Sequence, residues 1–318
     1  MIRIGMSLLM VLAVLACSPK KTSKTSGQDD AAPSSGRAVQ EMHPELMVLR
    51  QVFVEESSEQ GSLLLPAEDM AKQLGATLVT SGFLAARDGD VPETHTARRV
   101  EAFLTLSYDW APSAEPEAGA LVLAAEARLE FVDGRSDLAP QVAILMEASV
   151  PRLVKEAASA QAAQEALSRL AESATANLGE SLVARERLRR APHAELLSAL
   201  SVGLKEPSMR IWGLQLAADR GLQEAVPAAI ASLATEDEAL RAAAISALVA
   251  LRDPSGVAAL VKDVDFNSYE ELAVTMEAIS AIGGDDAIEF LEFVASGHSD
   301  DELRSRAKES LKRLRSVP

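Results

Sequence analysis

The chain has 318 residues, a net charge of −16, 48% hydrophobic residues and only 3% aromatic ones. That length has room for two domains, while the excess of acid repels phosphate backbones and the scarcity of rings disfavours stacking on bases or sugars. Nucleic acid is therefore excluded as a partner. Cys17 is the single cysteine, so neither a disulfide framework nor a thiolate metal site can form within one chain.

Met1-Ile2-Arg3 is a short positive start, and Ile4 to Ala16 is a thirteen-residue apolar run. A bilayer-spanning helix needs about 20 residues, so this run suits the core of a signal peptide, residues 1–16. It ends in Val14-Leu15-Ala16-Cys17, which resembles a bacterial lipobox. The resemblance implies that the Cys17 thiol is lipidated and anchors the chain to a membrane. Ser18 after it, by the enteric sorting rule, implies the periplasmic side of the outer membrane. The alternative is an ordinary cleaved signal with an incidental cysteine. Residues 17–40 are rich in Lys, Ser, Thr, Gly and Pro and have almost nothing to bury, so they read as a flexible tether.

Residues 41–190 read as an α+β domain. Leu46 to Val54 is an apolar, β-prone run, consistent with a strand buried on both faces. Pro66-Ala67-Glu68-Asp69 starts a helix that Leu74-Gly75 should stop, and Ala76 to Phe83 then reads as a strand. Val100, Ala102, Leu104, Leu106, Tyr108 and Trp110 alternate with polar residues, and so do Leu121, Leu123, Ala125, Ala127, Leu129 and Phe131. Period-two alternation predicts half-buried antiparallel strands. Asp133-Gly134 marks a turn, with Val142, Ile144 and Met146 on a further strand. A long helix, about Ser159 to Ala184, carries the stripe Ala163, Leu167, Leu170, Ala174, Leu178 and Leu182. An antiparallel or mixed sheet with helices on one face is the expected layering. The order of elements is faintly similar to the small lipoprotein domains of penicillin-binding-protein activators and of the curli-secretion lipoprotein.

Residues 191–318 repeat themselves. Segments beginning at Met209, Leu240, Leu272 and Leu303 are 31, 32 and 31 residues apart, and Val226, Val257 and Ile288 follow the first three at spacings of 31. Each unit reads as two helices: Leu240, Ala244, Ala247, Leu248 and Leu251 form one stripe, and Val257, Leu260, Val261 and Val264 form the next. The following unit has Leu272, Met276, Ile279, Ala281 and Ile282, then Ile288, Leu291 and Val294. A helix pair this short cannot bury its apolar face alone and must stack on its neighbours. The run Leu240-Arg241-Ala242-Ala243-Ala244-Ile245-Ser246-Ala247-Leu248, followed by Asp253-Pro254, resembles HEAT-like repeats, including those of phycobilisome lyases. The resemblance implies an all-α HEAT-like α-solenoid. Ala273 departs from it where the family has arginine, and Leu216-Ala217-Ala218 blurs the usual Ala-Leu pair.

Chemistry is sparse. The sequence has no P-loop, nucleophile elbow, dinucleotide fingerprint or zinc-protease motif. His43, His95, His193 and His298 fall in different segments and read as exposed loop residues. Asp285-Asp286 and Asp300-Asp301-Glu302 precede helices, where capping accounts for them better than calcium does. Arg210, Arg241 and Arg304 recur along one edge of the stack. They either face an anionic partner or, as preferred here, pair with acids of the adjoining repeat. Phe290 and Phe293 share a helix with Leu291 and cannot all face inward, so one of them is a candidate partner contact. No cofactor and no catalytic residue is expected. The expected function is a lipid-anchored cell-envelope scaffold that binds a protein partner. The alternatives are an enzyme resembling the chromophore lyases and an assembly lipoprotein of an envelope machine.

Overall fold

The computed structural model describes residues 47–57, 63–81, 84–85, 98–112, 118–132, 139–151, 157–262 and 264–316. All lie in one of the two units into which the chain divides, 41–318. The signal segment, Cys17 and the tether fall outside the described residues, as do His43, His95 and the Asp133-Gly134 turn.

Five strands make one mixed sheet in the order β2-β1-β3-β4-β5: β1 Met47–Ser57, β2 Leu84–Ala85, β3 Arg98–Pro112, β4 Ala118–Phe131 and β5 Gln141–Pro151. β1 runs parallel to β2 and β3, and β3, β4 and β5 are antiparallel neighbours. The alternation in the sequence becomes alternation of faces. Val100, Ala102, Leu104, Leu106 and Tyr108 of β3 are buried, and so are Leu121, Leu123, Ala125, Ala127 and Leu129 of β4. Helices α1 (Ala67–Thr80) and α2 (Ala157–Arg190) cover that face, α1 over β1 and α2 over β4 and β5. All six expected stripe residues of α2 are buried. Burying each such leucine contributes about 2 kcal/mol.

Two expectations are corrected by the fold. Ala76–Thr80 is not a strand but the second half of α1, which runs through Gly75. The β-branched run Thr77 to Thr80 had suggested a strand, but Leu74 and Leu78, four apart, are both fully buried against the sheet. Tertiary burial at helical spacing outweighs that propensity. Nor is β1 buried on both faces. A register shift between Leu49 and Gln51 brings Leu49, Val52 and Val54 onto the helix face. Phe53 takes the other face, stacked at 4.9 Å on Phe103, whose ring Arg128 covers at 4.6 Å. One extra residue in the strand re-phases the alternation.

Eight further α-helices follow among the described residues. α3 (His193–Ser198) opens the series, then α4 (Pro207–Asp219), α5 (Val226–Ser232), α6 (Glu238–Leu251), α7 (Ser255–Lys262), α8 (Tyr269–Ile282), α9 (Asp285–Gly297) and α10 (Asp301–Ser316). α6 packs on α4 and α8, and α8 on α10, while α7 packs on α5 and α9. First and second helices thus form two layers. The sequence offset is kept in the burial: Gly213, Ala244 and Ala307 occupy one buried position of their helices, and Ala217, Leu248 and Leu311 another. In α8 the stripe is Leu272, Thr275, Met276, Ala278, Ile279 and Ile282, whereas Ala281, expected inside, is exposed. Ala281 lies nine residues beyond Leu272, which places it on the opposite side of the helix from that stripe. Asp237 caps α6 through the Leu240 amide at 2.9 Å, and Asp300 caps α10 through the Leu303 amide at 3.0 Å.

The buried residues form two cores, one of sheet with α1 and α2, the other of the later helices from Leu188 onward. α2 belongs to both, since 34 residues extend about 50 Å. Its last turns are locked to α4 and to the chain around it. Trp212 Nε1 donates to the Arg185 carbonyl at 2.9 Å, and Arg220 donates to the carbonyls of Ala191, at 2.8 Å, and Arg189. Glu186, fully buried, accepts from Arg189 at 2.6 and 2.7 Å and from Arg190 at 2.7 Å. Burial pushes the Arg185 and Arg220 guanidiniums below their usual pKa, and the neighbouring Arg189 lowers Arg220 further.

Candidate functional site

Five of the seven phenylalanines fall into two clusters on opposite halves of the chain. Phe53 and Phe103 stack on the strand face turned away from α1 and α2. The other cluster lies on the helical half and is the more accessible. Phe266, on the turn between α7 and α8, has its ring 5.9 Å from Phe290 and 5.8 Å from Phe293, the second contact edge-on at 84°. Such tilted and edge-on pairs are favourable beyond the area they bury.

The helical period explains the division of labour within α9. Leu291 and Val294 are fully buried, so Phe290 is left at the boundary, packed on the core, and Phe293 faces out at 62% exposure. Phe266 is 39% exposed. The pair Phe290 and Phe293 was legible as a helix with one ring too many. Phe266 was not, because its position depends on a turn whose path no periodicity encodes.

The same turn leads into Tyr269, whose hydroxyl donates to Glu302 at 2.6 Å and whose ring lies 5.5 Å from the Arg306 guanidinium. Glu302 also accepts from Arg306 at 2.9 Å. Those two donors, the tyrosine hydroxyl first, hold the Glu302 carboxyl below its usual pKa, and the Tyr269 phenol is raised by the same bond. Acids border the aromatic cluster. Glu289 and Glu292 lie on α9, the latter paired with Arg315, and Asp265 sits beside Phe266.

The recurrent arginines are tied into the chain, and Arg304 reaches the same corner through His298. Arg210 Nε donates to the Ser232 hydroxyl at 2.9 Å, and Arg241 Nη2 to the Thr235 carbonyl at 2.6 Å. Arg304 donates to the His298 and Ser299 carbonyls and pairs with Asp301. Each has at least one donor committed inside the chain, to carbonyls and a hydroxyl more than to acids. His298 also departs from expectation. It is half-buried, and both of its ring nitrogens are hydrogen-bonded. His193 sits at the start of α3, far along the chain from it.

Among the described residues no three His, Cys, Asp or Glu side chains gather as metal ligands, and no helix is long and apolar enough to cross a membrane. The basic side of α10 forms only a shallow, open depression, lined by Lys308, Leu311, Lys312, Arg315 and Ser316. What the aromatic cluster offers chemically is apolar and edge-to-face contact with an acidic surround.

No family model matches the chain, and no curated protein does. Several solved structures share local similarity, among them two of low identity. One is described as a "putative lipoprotein" of Caulobacter crescentus, 16% identical, spanning 41% of this chain and 88% of its own at a TM-score of 0.26. The other is an uncharacterized protein, 11% identical, spanning 43% and 91% at a TM-score of 0.24. At such scores the fold is read from the chain's own packing.

Proposed function

We propose that this chain is a lipid-anchored protein of the bacterial cell envelope, not an enzyme, and that its helical half is a HEAT-like α-solenoid that docks a protein partner. Cys17 is the anchor, and residues 17–40 are the tether. The observation that carries the docking reading is the cluster of Phe266, Phe290 and Phe293: an aromatic-poor chain gathers three of its seven phenylalanines at an exposed place. Aromatic anchors in a packed setting dominate the energetics of protein interfaces. The solenoid reading is supported by the 31-residue offset in sequence, the equivalent buried positions and the two helix layers.

Charge narrows the partner. With a net charge of −16 and acids beside the rings, the complementary surface is an apolar side chain flanked by Lys or Arg. A photo-crosslinking residue at Phe293, in cells that make the full chain, tests this. The expected result is one discrete adduct, absent from the same residue placed at Gln215 on the exposed side of α4, and lost on Phe266→Ser. Equal adducts from both positions would sink the docking reading. Cys17→Ser, followed by metabolic labelling with palmitate, tests the anchor; label retained in the variant would overturn it.

A further inference from the structure

The recurrent arginine has a repeated task. Arg241 donates to the carbonyl of Thr235 and Arg304 to that of His298, each six residues back. Each guanidinium thereby ties its helix to the turn leading into it. Arg210 instead reaches Ser232. α8 has Ala273 at this place, and the turn leading into α8 is the one that carries Phe266.

That turn is held from the other side. His298, the residue after α9, has Nε2 3.0 Å from the Phe266 carbonyl oxygen and Nδ1 3.0 Å from the Asp300 amide nitrogen. A carbonyl only accepts and an amide N–H only donates. The two contacts together therefore put the hydrogen on Nε2 and leave Nδ1 bare, which is the neutral ring in one tautomer.

We infer that His298 positions Phe266 in place of the arginine missing at Ala273, and that this makes the aromatic site acid-sensitive. Arginine keeps its charge and its five donors at any working pH. Histidine as a residue type takes up a proton near neutrality. A proton on Nδ1 faces the Asp300 N–H, so that bond is lost and the two hydrogens repel; relieving the repulsion turns the ring and draws the Nε2–H away from the Phe266 carbonyl. The charged groups on the elements packed here are already engaged. Asp265 accepts from the Asn267 amide, Asp300 from the Glu302 and Leu303 amides, Arg304 pairs with Asp301, and Glu302 is held by Tyr269 and Arg306. The consequence for a partner rests on the docking reading; the clamp itself does not.

Hydrogen exchange of the full chain, followed on peptides spanning 264–272 at pH 7.4 and 5.5 and corrected for intrinsic rates, tests the clamp. The wild type should exchange there roughly three- to tenfold faster at the lower pH, the factor expected for one lost hydrogen bond. His298→Ala should be fast at both values. His298→Gln, which keeps an amide donor but does not titrate, should be slow at both. Adding Ala273→Arg to His298→Ala should restore slow, pH-independent exchange, with the introduced guanidinium reaching the turn as that of Arg241 does. An unchanged rate in His298→Ala, a pH response surviving in His298→Gln, or no rescue by Ala273→Arg would each overturn the inference. Exchange as expected without any Phe293 adduct at either pH would remove the docking reading and leave the clamp standing. An adduct with flat exchange would do the reverse.

Discussion

The indole of Trp212 on α4 donates its single N–H to the main-chain carbonyl of Arg185 on α2, at 2.9 Å. This bond spans the step from the helix that floors the sheet to the first long helix of the repeating half, and the Trp212 ring is itself part of the second core. Trp212→Phe keeps most of the apolar contact and loses the bond, for a cost of about 1 kcal/mol. Trp212→Ala should cost about 3–5 kcal/mol, as for other large-to-small changes in a core. Urea unfolding followed by circular dichroism measures both, and an unchanged stability in Trp212→Phe would mean that the indole N–H is idle.

Buried charge reinforces the same joint. Glu186 is fully buried between two arginines, so Glu186→Ala removes the carboxylate shared by cations that are themselves only 15–16% exposed. Breaking one side of a buried ion pair costs about 3–5 kcal/mol, and the partial exposure of Arg189 and Arg190 puts this case at the low end. A melting temperature unchanged in Glu186→Ala would show that water replaces the carboxylate freely.

Where α1 crosses α2, Gly179 faces Thr77. A Cβ at 179 would stand 2.9 Å from Thr77 Cγ2 and 3.2 Å from its Cβ. Thr77 cannot swing its branched carbon away, so Gly179→Ala is expected to destabilise by about 1–2 kcal/mol even though alanine favours the helix by about 1 kcal/mol. Combining it with Thr77→Ala should recover most of the loss. Additive effects in that double-mutant cycle would place the strain elsewhere.

The Tyr269–Glu302–Arg306 cluster makes a statement about pH. The folded Glu302 titrates below its ordinary value of 4.5, chiefly because of the Tyr269 hydroxyl. The stability it adds is therefore present above pH 4.5 and is lost as pH falls through the depressed folded pKa. Tyr269→Phe should raise the Glu302 titration midpoint toward 4.5, as read from its side-chain carboxyl carbon by NMR. A midpoint that does not move would assign the shift to Arg306 instead.

Within α9 the two phenylalanines should behave oppositely. Phe293→Ser removes an exposed ring and should leave stability within about 0.5 kcal/mol. Phe290→Ala takes contacts from the core and should cost about 1–3 kcal/mol. Comparable destabilisation by both would mean that Phe293 is structural.

Much of this was legible without coordinates, and the reason is periodicity. A residue's face is set by its place in a run: two-fold alternation predicted the buried side of β3 and β4, and three-and-four spacing predicted the stripes of α2, α6 and α8 but for Ala281. Where two signals competed, local reading failed. Ala76 to Phe83 reads locally as a strand, but Leu78 is buried with Leu74 at helical spacing, and Leu46 to Val54 reads as doubly buried, but a single bulge re-phases it. The site itself divides in the same way. That Phe290 and Phe293 could not both be interior is arithmetic on a helix. That Phe266 joins them, and that His298 rather than an arginine holds it there, depends on a hydrogen bond between turns 32 residues apart. Periodic signals fix which side of an element is apolar, because burial acts on every turn of it alike; a contact between two turns depends on how the elements stack, and only the tertiary structure decides that.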